Sequence, residues 1–216
     1  MGWWEISNRQ FPIIKLRRIF ENGGSGDINM AFHFKKLKIP GLIYIETDVF
    51  GDDRGFFVEL FKTSVFKTNG IVKPIAQVNH SKSFKGVLRG LHYQAPPFAQ
   101  GKLVQVLKGA ALDVAVDIRF GSPTFGKYMA LELTAGNKKQ LWIPEGFAHG
   151  FLALEDDTLF SYKCTNVYSK ENDRGIRWND PAIGIEWGID GVQVSEKDAV
   201  QPLLAEIKQE FTFNNA

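Results

Sequence analysis

The chain has 216 residues, 44% hydrophobic and 23% charged, with a formal net charge of +2. This is an ordinary globular composition, long enough to bury a sizeable core and too weakly charged for a general nucleic-acid binder. The one cysteine, Cys164, excludes an intrachain disulfide framework and a multi-cysteine zinc site. No run approaches the roughly 20 apolar residues of a membrane span and no signal peptide is recognisable, so the expected location is cytoplasmic.

Residues 1–30, MGWWEISNRQFPIIKLRRIFENGGSGDINM, combine a mixed apolar and basic segment with the flexible composition Asn-Gly-Gly-Ser-Gly. They are read as an extension, flexible or docked on the surface, with the functional domain over 31–216. A basic amphipathic membrane anchor is the rival reading, because Ile13, Ile14, Leu16, Ile19 and Phe20 cluster beside Lys15, Arg17 and Arg18.

From Leu42 onward short β-type runs recur: 42–47, 56–61, 75–79, 87–93, 102–107, 111–118, 127–133, 140–143, 150–154 and 159–165. Turn signals at Gly51-Asp52, Lys108-Gly109, Gly121-Ser122-Pro123 and Gly136-Asn137 punctuate them, which predicts an all-β antiparallel sandwich or barrel. Helices are predicted over 64–68 and 202–209, the latter from the stripe Leu203, Leu204 and Ile207.

Polar chemistry concentrates in Gly86–Gln105, a strand, an Ala-Pro-Pro break and a second strand. Strict alternation puts His92 on the face of Leu88, and Lys102 on that of Val104 and Val106. A lone histidine on such a face is more often a satisfied core residue than a catalyst; Arg89, Lys102, Gln94 and Gln100 nearby favour a site. Gly90 is the residue able to form a bulge that brings Arg89 and His92 to one pocket. Elsewhere Arg54, Glu59, the amides of Gln77 and Asn79, His149, Tyr162, Tyr168 and the Ser195-Glu196-Lys197-Asp198 cluster are polar residues with both structural and functional readings. Four histidines, His33, His80, His92 and His149, with no His-x-His pair at His92, make a metal site unexpected.

The segments FGDDRGFFVELF, QVNHSKSFKGVLRGLHYQ, AQGKLVQV, DVAVDIRFGSPTFGKY, QLWIPEGFAHGFLAL, YKCTNVYS, RWNDPAIGIEW and SEKDA closely resemble, in order, the dTDP-4-dehydrorhamnose 3,5-epimerase family. The resemblance covers roughly Phe34 to Leu204. It implies a cupin-type jelly roll acting as a homodimer, with no redox or organic cofactor, on a dTDP-4-keto-6-deoxyhexose in rhamnose synthesis. By matching position His92 resembles the family's general base, Asp198 its carboxylate partner, Tyr162 the acid and Lys102 the cation beside the developing enolate. Arg54, Glu59, Gln77, Asn79, Arg89, His149 and Lys197 match substrate-contacting positions, and Tyr168 a ring stacked on thymine. Asp173, also matched to a substrate position, stands where the family usually has glutamate; Gly188 stands where Ile-Glu-Trp is commonly followed by proline. The alternatives are an epimerase of a single carbon and a non-catalytic sugar-nucleotide-binding cupin.

Overall fold

A computed structural model of the chain describes residues 14–15 and 32–213. Apart from residues 14–15, the expected extension and its boundary at Met30 lie outside the described residues.

Two antiparallel sheets face each other. One has the order β2 (Phe32–Lys36), β3 (Ile43–Thr47), β11 (Gln140–Ile143), β8 (Lys102–Lys108), β13 (Thr158–Cys164) and β6 (Gln77–Ser83). The other runs β10 (Tyr128–Thr134), β9 (Ala110–Asp117), β12 (Phe147–Ala153), β7 (Leu88–Gln94) and β14 (Asp173–Gly175). A small third sheet pairs β1 (Ile14–Lys15) in parallel with β4 (Val49–Asp52), which forms an antiparallel hairpin with β5 (Gly55–Val58). This is the expected cupin-type jelly roll.

Alternation explains the main core. Val104, Val106, Leu141 and Phe160 from the six-stranded sheet meet Ala111, Ala115, Phe147 and Phe151 from the five-stranded one. The rings of Phe151 and Phe160 stack with centroids 4.2 Å apart, and each contributes about 1.5–3 kcal/mol by leaving water. A second core lies on the other side of the five-stranded sheet, where Leu88, Leu91, Val114 and Leu152 are covered by Ile176, Ile183, Trp187 and Leu204. The central strand β9 is consequently buried on both faces, so its Asp113 and Asp117 are fully buried.

The helix forms at Thr63–Thr68 and closes a third core by burying Phe66 completely against Ile43, Ile45, Leu103 and Trp142. The helix predicted over 202–209 does not form; only the three-residue turn Leu204–Glu206 is helical. Tertiary partners take its backbone instead: Leu204 N–H donates to Asp180 Oδ2 at 2.6 Å, and Pro202 C=O accepts from Arg177 N–H at 2.8 Å. Leu204 and Ile207 of its apolar stripe serve the second core from an irregular segment.

Candidate active site

A cavity of 640 Å³ opens at one end of the sandwich, lined by β7 from one sheet and by β6, β8 and β13 from the other. Two details of the backbone aim β7 into it. His149 pairs with His92 and Phe151 with Arg89, so three residue steps on β7 match two on β12. That extra residue is a β-bulge at Gly90-Leu91, and it overturns the strict alternation: Leu88, Leu91 and Tyr93 pack in the second core, Leu88 and Tyr93 only bordering the cavity, while Arg89 and His92 share the inward face of Phe151 and His149 and, with Gln94, turn to the cavity. His92 therefore does not share the face of Leu88. Gly90 has φ of +143°, and a Cβ there would lie 2.5 Å from Gly150 Cα, so glycine is required for conformation and space alike.

His92 donates its Nε2–H to Asp198 Oδ1 at 2.6 Å. A carboxylate partner fixes the N–H on Nε2 and leaves the lone pair on Nδ1. Asp198 is held in turn: its backbone N–H donates to the Ser195 hydroxyl at 3.1 Å, an N-cap on the short helix Glu196–Ala199. Burial pushes the Asp198 carboxyl up, but the hydrogen bond and charge of His92 outweigh this and hold it below the ordinary carboxylate value. An ionised Asp198 beside a partly exposed imidazole is an arrangement for a general base.

Tyr162 comes from the opposite sheet. Its hydroxyl hydrogen-bonds Ser81 Oγ at 3.2 Å, and its ring packs against Phe160 and Phe151 with centroids 4.9 and 6.4 Å away. Burial pushes the phenol well above its ordinary value, against the opposing hydrogen bond of Ser81 and the charge of Arg89. The proton is thereby retained until a strong base arrives. Lys102, also on the cavity face, donates from Nζ to the His92 carbonyl at 3.3 Å. Burial pushes its ammonium down while Cys164, Asp173 and Asp113 pull it up, so a developing anion in the cavity would be a favourable partner.

His149 is buried beneath these groups, and its Nε2 lies 2.6 Å from Asp113 Oδ1. Burial pushes the imidazole below its ordinary value despite the raising pull of Asp113, so the neutral ring donates its Nε2–H to the carboxylate. At the rim the Tyr168 hydroxyl donates to Asp173 Oδ2 at 3.1 Å, and the same oxygen accepts from Lys197 Nζ. The aspartate side chain thus reaches both neighbours. Tyr168 is 56% exposed, leaving its ring open to a partner. Arg89 is positioned by Ser83 Oγ at 3.0 Å and the Lys82 carbonyl at 3.2 Å.

The other expected residues divide. Asn79 lines the cavity; Gln77 stands behind it, donating to Asn79 Oδ1 at 2.9 Å and accepting from Tyr168 N–H at 2.8 Å. His149 underlies the cavity without lining it. Arg54 and Glu59 are not brought to the cavity: Arg54 sits in the exposed β4–β5 hairpin, paired with Asp52 at 2.6 Å. Sequence reasoning missed Asp113 and Ser81. Asp113 was marked by an acid within a valine-rich strand; nothing local distinguished Ser81. Among the described residues, no group of three or more His, Cys, Asp or Glu side chains could hold a metal ion.

Residues 36–206 match the family model for dTDP-4-dehydrorhamnose 3,5-epimerase. The chain belongs to this family. It is 56% identical over 164 residues to the dTDP-4-dehydrorhamnose 3,5-epimerase of Shigella flexneri, covering 76% of this chain and 91% of that relative. The Sinorhizobium fredii enzyme of the same name is 49% identical over 183 residues, 84% of this chain and 94% of its own length. Among solved structures, dTDP-6-deoxy-D-glucose-3,5-epimerase from Legionella pneumophila, in complex with dTDP-4-keto-L-rhamnose, superposes with a TM-score of 0.82 at 45% identity, covering 85% of this chain and 100% of that one.

Proposed function

We propose that this member of the family epimerises C3 and C5 of dTDP-4-dehydro-6-deoxy-D-glucose, giving dTDP-4-dehydro-L-rhamnose for dTDP-L-rhamnose synthesis. Both carbons lie α to the C4 carbonyl, so loss of either proton gives an enolate, and a proton returned to the opposite face inverts that centre. The observation that carries this reading is the opposition across one cavity of His92, with Asp198, on the five-stranded sheet and Tyr162 on the six-stranded sheet. His92 Nδ1 takes the proton, Tyr162 O–H supplies one to the other face, and Lys102 stabilises the charge developing on O4. A preorganised donor of this kind contributes about 3 kcal/mol to the barrier. Arg89 engages the diphosphate and Tyr168 stacks on the base, so that binding far from the reacting carbons orients the sugar.

The catalytic unit is the segment from residue 31 onward, working as a homodimer in the cytoplasm. Two observations support the dimer: Phe56 and Phe57 of the β4–β5 hairpin are 59% and 56% exposed, and Arg54 beside them stands away from its own chain's cavity. The hairpin delivers Arg54 and Glu59 to the partner's site.

Turnover in deuterium oxide tests the reaction. Deuterium is expected at both C3 and C5 of the product. Exchange at one carbon would make the chain a single-centre epimerase; binding of dTDP with no exchange would make it a sugar-nucleotide-binding protein.

A further inference from the structure

Two inversions with one base and one acid raise a proton-accounting problem. After the first inversion His92 carries a proton and Tyr162 has lost one, so neither is charged for the second until both exchange with solvent. His92 is 32% exposed and can release its proton directly. Tyr162 lines the cavity together with Ser81 and Asn79, and aromatic rings and His149 surround its own ring, so its hydroxyl has few routes to solvent once substrate fills the cavity. Its hydroxyl has one hydrogen bond among the described residues, to Ser81 Oγ at 3.2 Å.

Ser81 belongs to β6, the edge strand of the six-stranded sheet, and is half-buried between buried Ser83 and exposed Asn79 and His80. Gln77, Asn79, Ser81 and Ser83 alternate onto one face, a polar row leading from the exposed end of the edge strand to the Tyr162 hydroxyl. We propose that Ser81 relays protons from solvent to Tyr162, recharging the acid between the two inversions. In the relay Ser81 Oγ–H passes its proton to the Tyr162 phenolate as Oγ takes one from a water at the strand edge. The hydroxide left behind is neutralised by the proton that His92 released, so each inversion returns both groups to their starting state. Ser81 is on this reading a positioning and relay residue, acting through Tyr162, and the inference rests on Tyr162 being the acid.

The test compares Ser81→Ala, Ser81→Thr and Tyr162→Phe, each checked for dTDP binding. With enzyme in excess in deuterium oxide, Ser81→Ala is expected to complete exchange at one carbon and lag at the other, so the singly inverted sugar accumulates. Steady-state turnover should fall at least tenfold more than the first exchange, and Ser81→Thr, which keeps the hydroxyl, should restore it. Equal loss of the first and second exchanges, unchanged turnover in Ser81→Ala, failure of threonine to rescue, or loss of dTDP binding would each overturn the relay. Tyr162→Phe separates the two layers: inversion at the wild-type rate in that variant would remove the acid assignment itself, whatever Ser81 does.

Discussion

At the residue scale, burial and a few charged or hydrogen-bonding neighbours set the protonation of the side chains in the site. Asp198 is 3% exposed and ionised, and it decides which nitrogen of His92 keeps the proton. Asp198→Asn preserves the shape but removes the charge and frees the ring to adopt the wrong tautomer. The expected result is a fall in kcat on the order of 10²–10⁴-fold with little change in KM, measured by steady-state kinetics; an equal rise in KM with kcat intact would assign Asp198 to binding. His92 and Lys102 were legible because a strand, a proline break and a second strand gather polar residues within twenty positions. Asp198 lies 106 positions from His92, a distance over which spacing carries no information; only the family resemblance linked them. Ser81 was not legible, because a serine in a polar edge strand is indistinguishable from its solvated neighbours.

At the scale of elements, alternation located most strands, and its failures have physical causes. β6 extends to Ser83 through a run with few apolar residues, since an edge strand need bury only one face. β12 starts at Phe147, three residues before expectation, because both its faces are covered and Pro-Glu-Gly ends just before it. The bulge at Gly90 matters most for function. Gly90→Ala would push a Cβ to 2.5 Å from Gly150 Cα at a φ of +143°. The expected outcome is destabilisation of about 1–3 kcal/mol or more, seen as a lowered thermal midpoint, together with loss of activity beyond that explained by unfolding. A variant with wild-type stability and activity would show that the bulge does not position Arg89 and His92.

For the whole molecule, the two sheets supply opposite halves of the chemistry. The fold class was readable from recurrent short strands and turns, whereas the absence of Arg54 and Glu59 from the lining of this chain's cavity was not, because strand patterning does not say where the side chains of a hairpin come to lie. Coexpression of Arg54→Ala with His92→Ala tests the proposed exchange. Arg54→Ala alone should raise KM about 10–100-fold, the loss of a charge-assisted contact. In a mixed dimer one cavity would combine an intact His92 with the partner's intact Arg54, so activity with wild-type KM should reappear. If Arg54 serves its own chain, no complete site forms and activity stays low.

The opposition of base and acid is tested most directly by hydrogen exchange in variants that still bind nucleotide. His92→Ala and Tyr162→Phe, incubated with the 4-keto sugar nucleotide in deuterium oxide, should each retain dTDP affinity within a few-fold. Inversion should disappear in both, and His92→Ala should also fail to wash deuterium into C3 or C5. Inversion at wild-type rate in either variant would contradict the assignment of His92 and Tyr162 to opposite faces of the sugar.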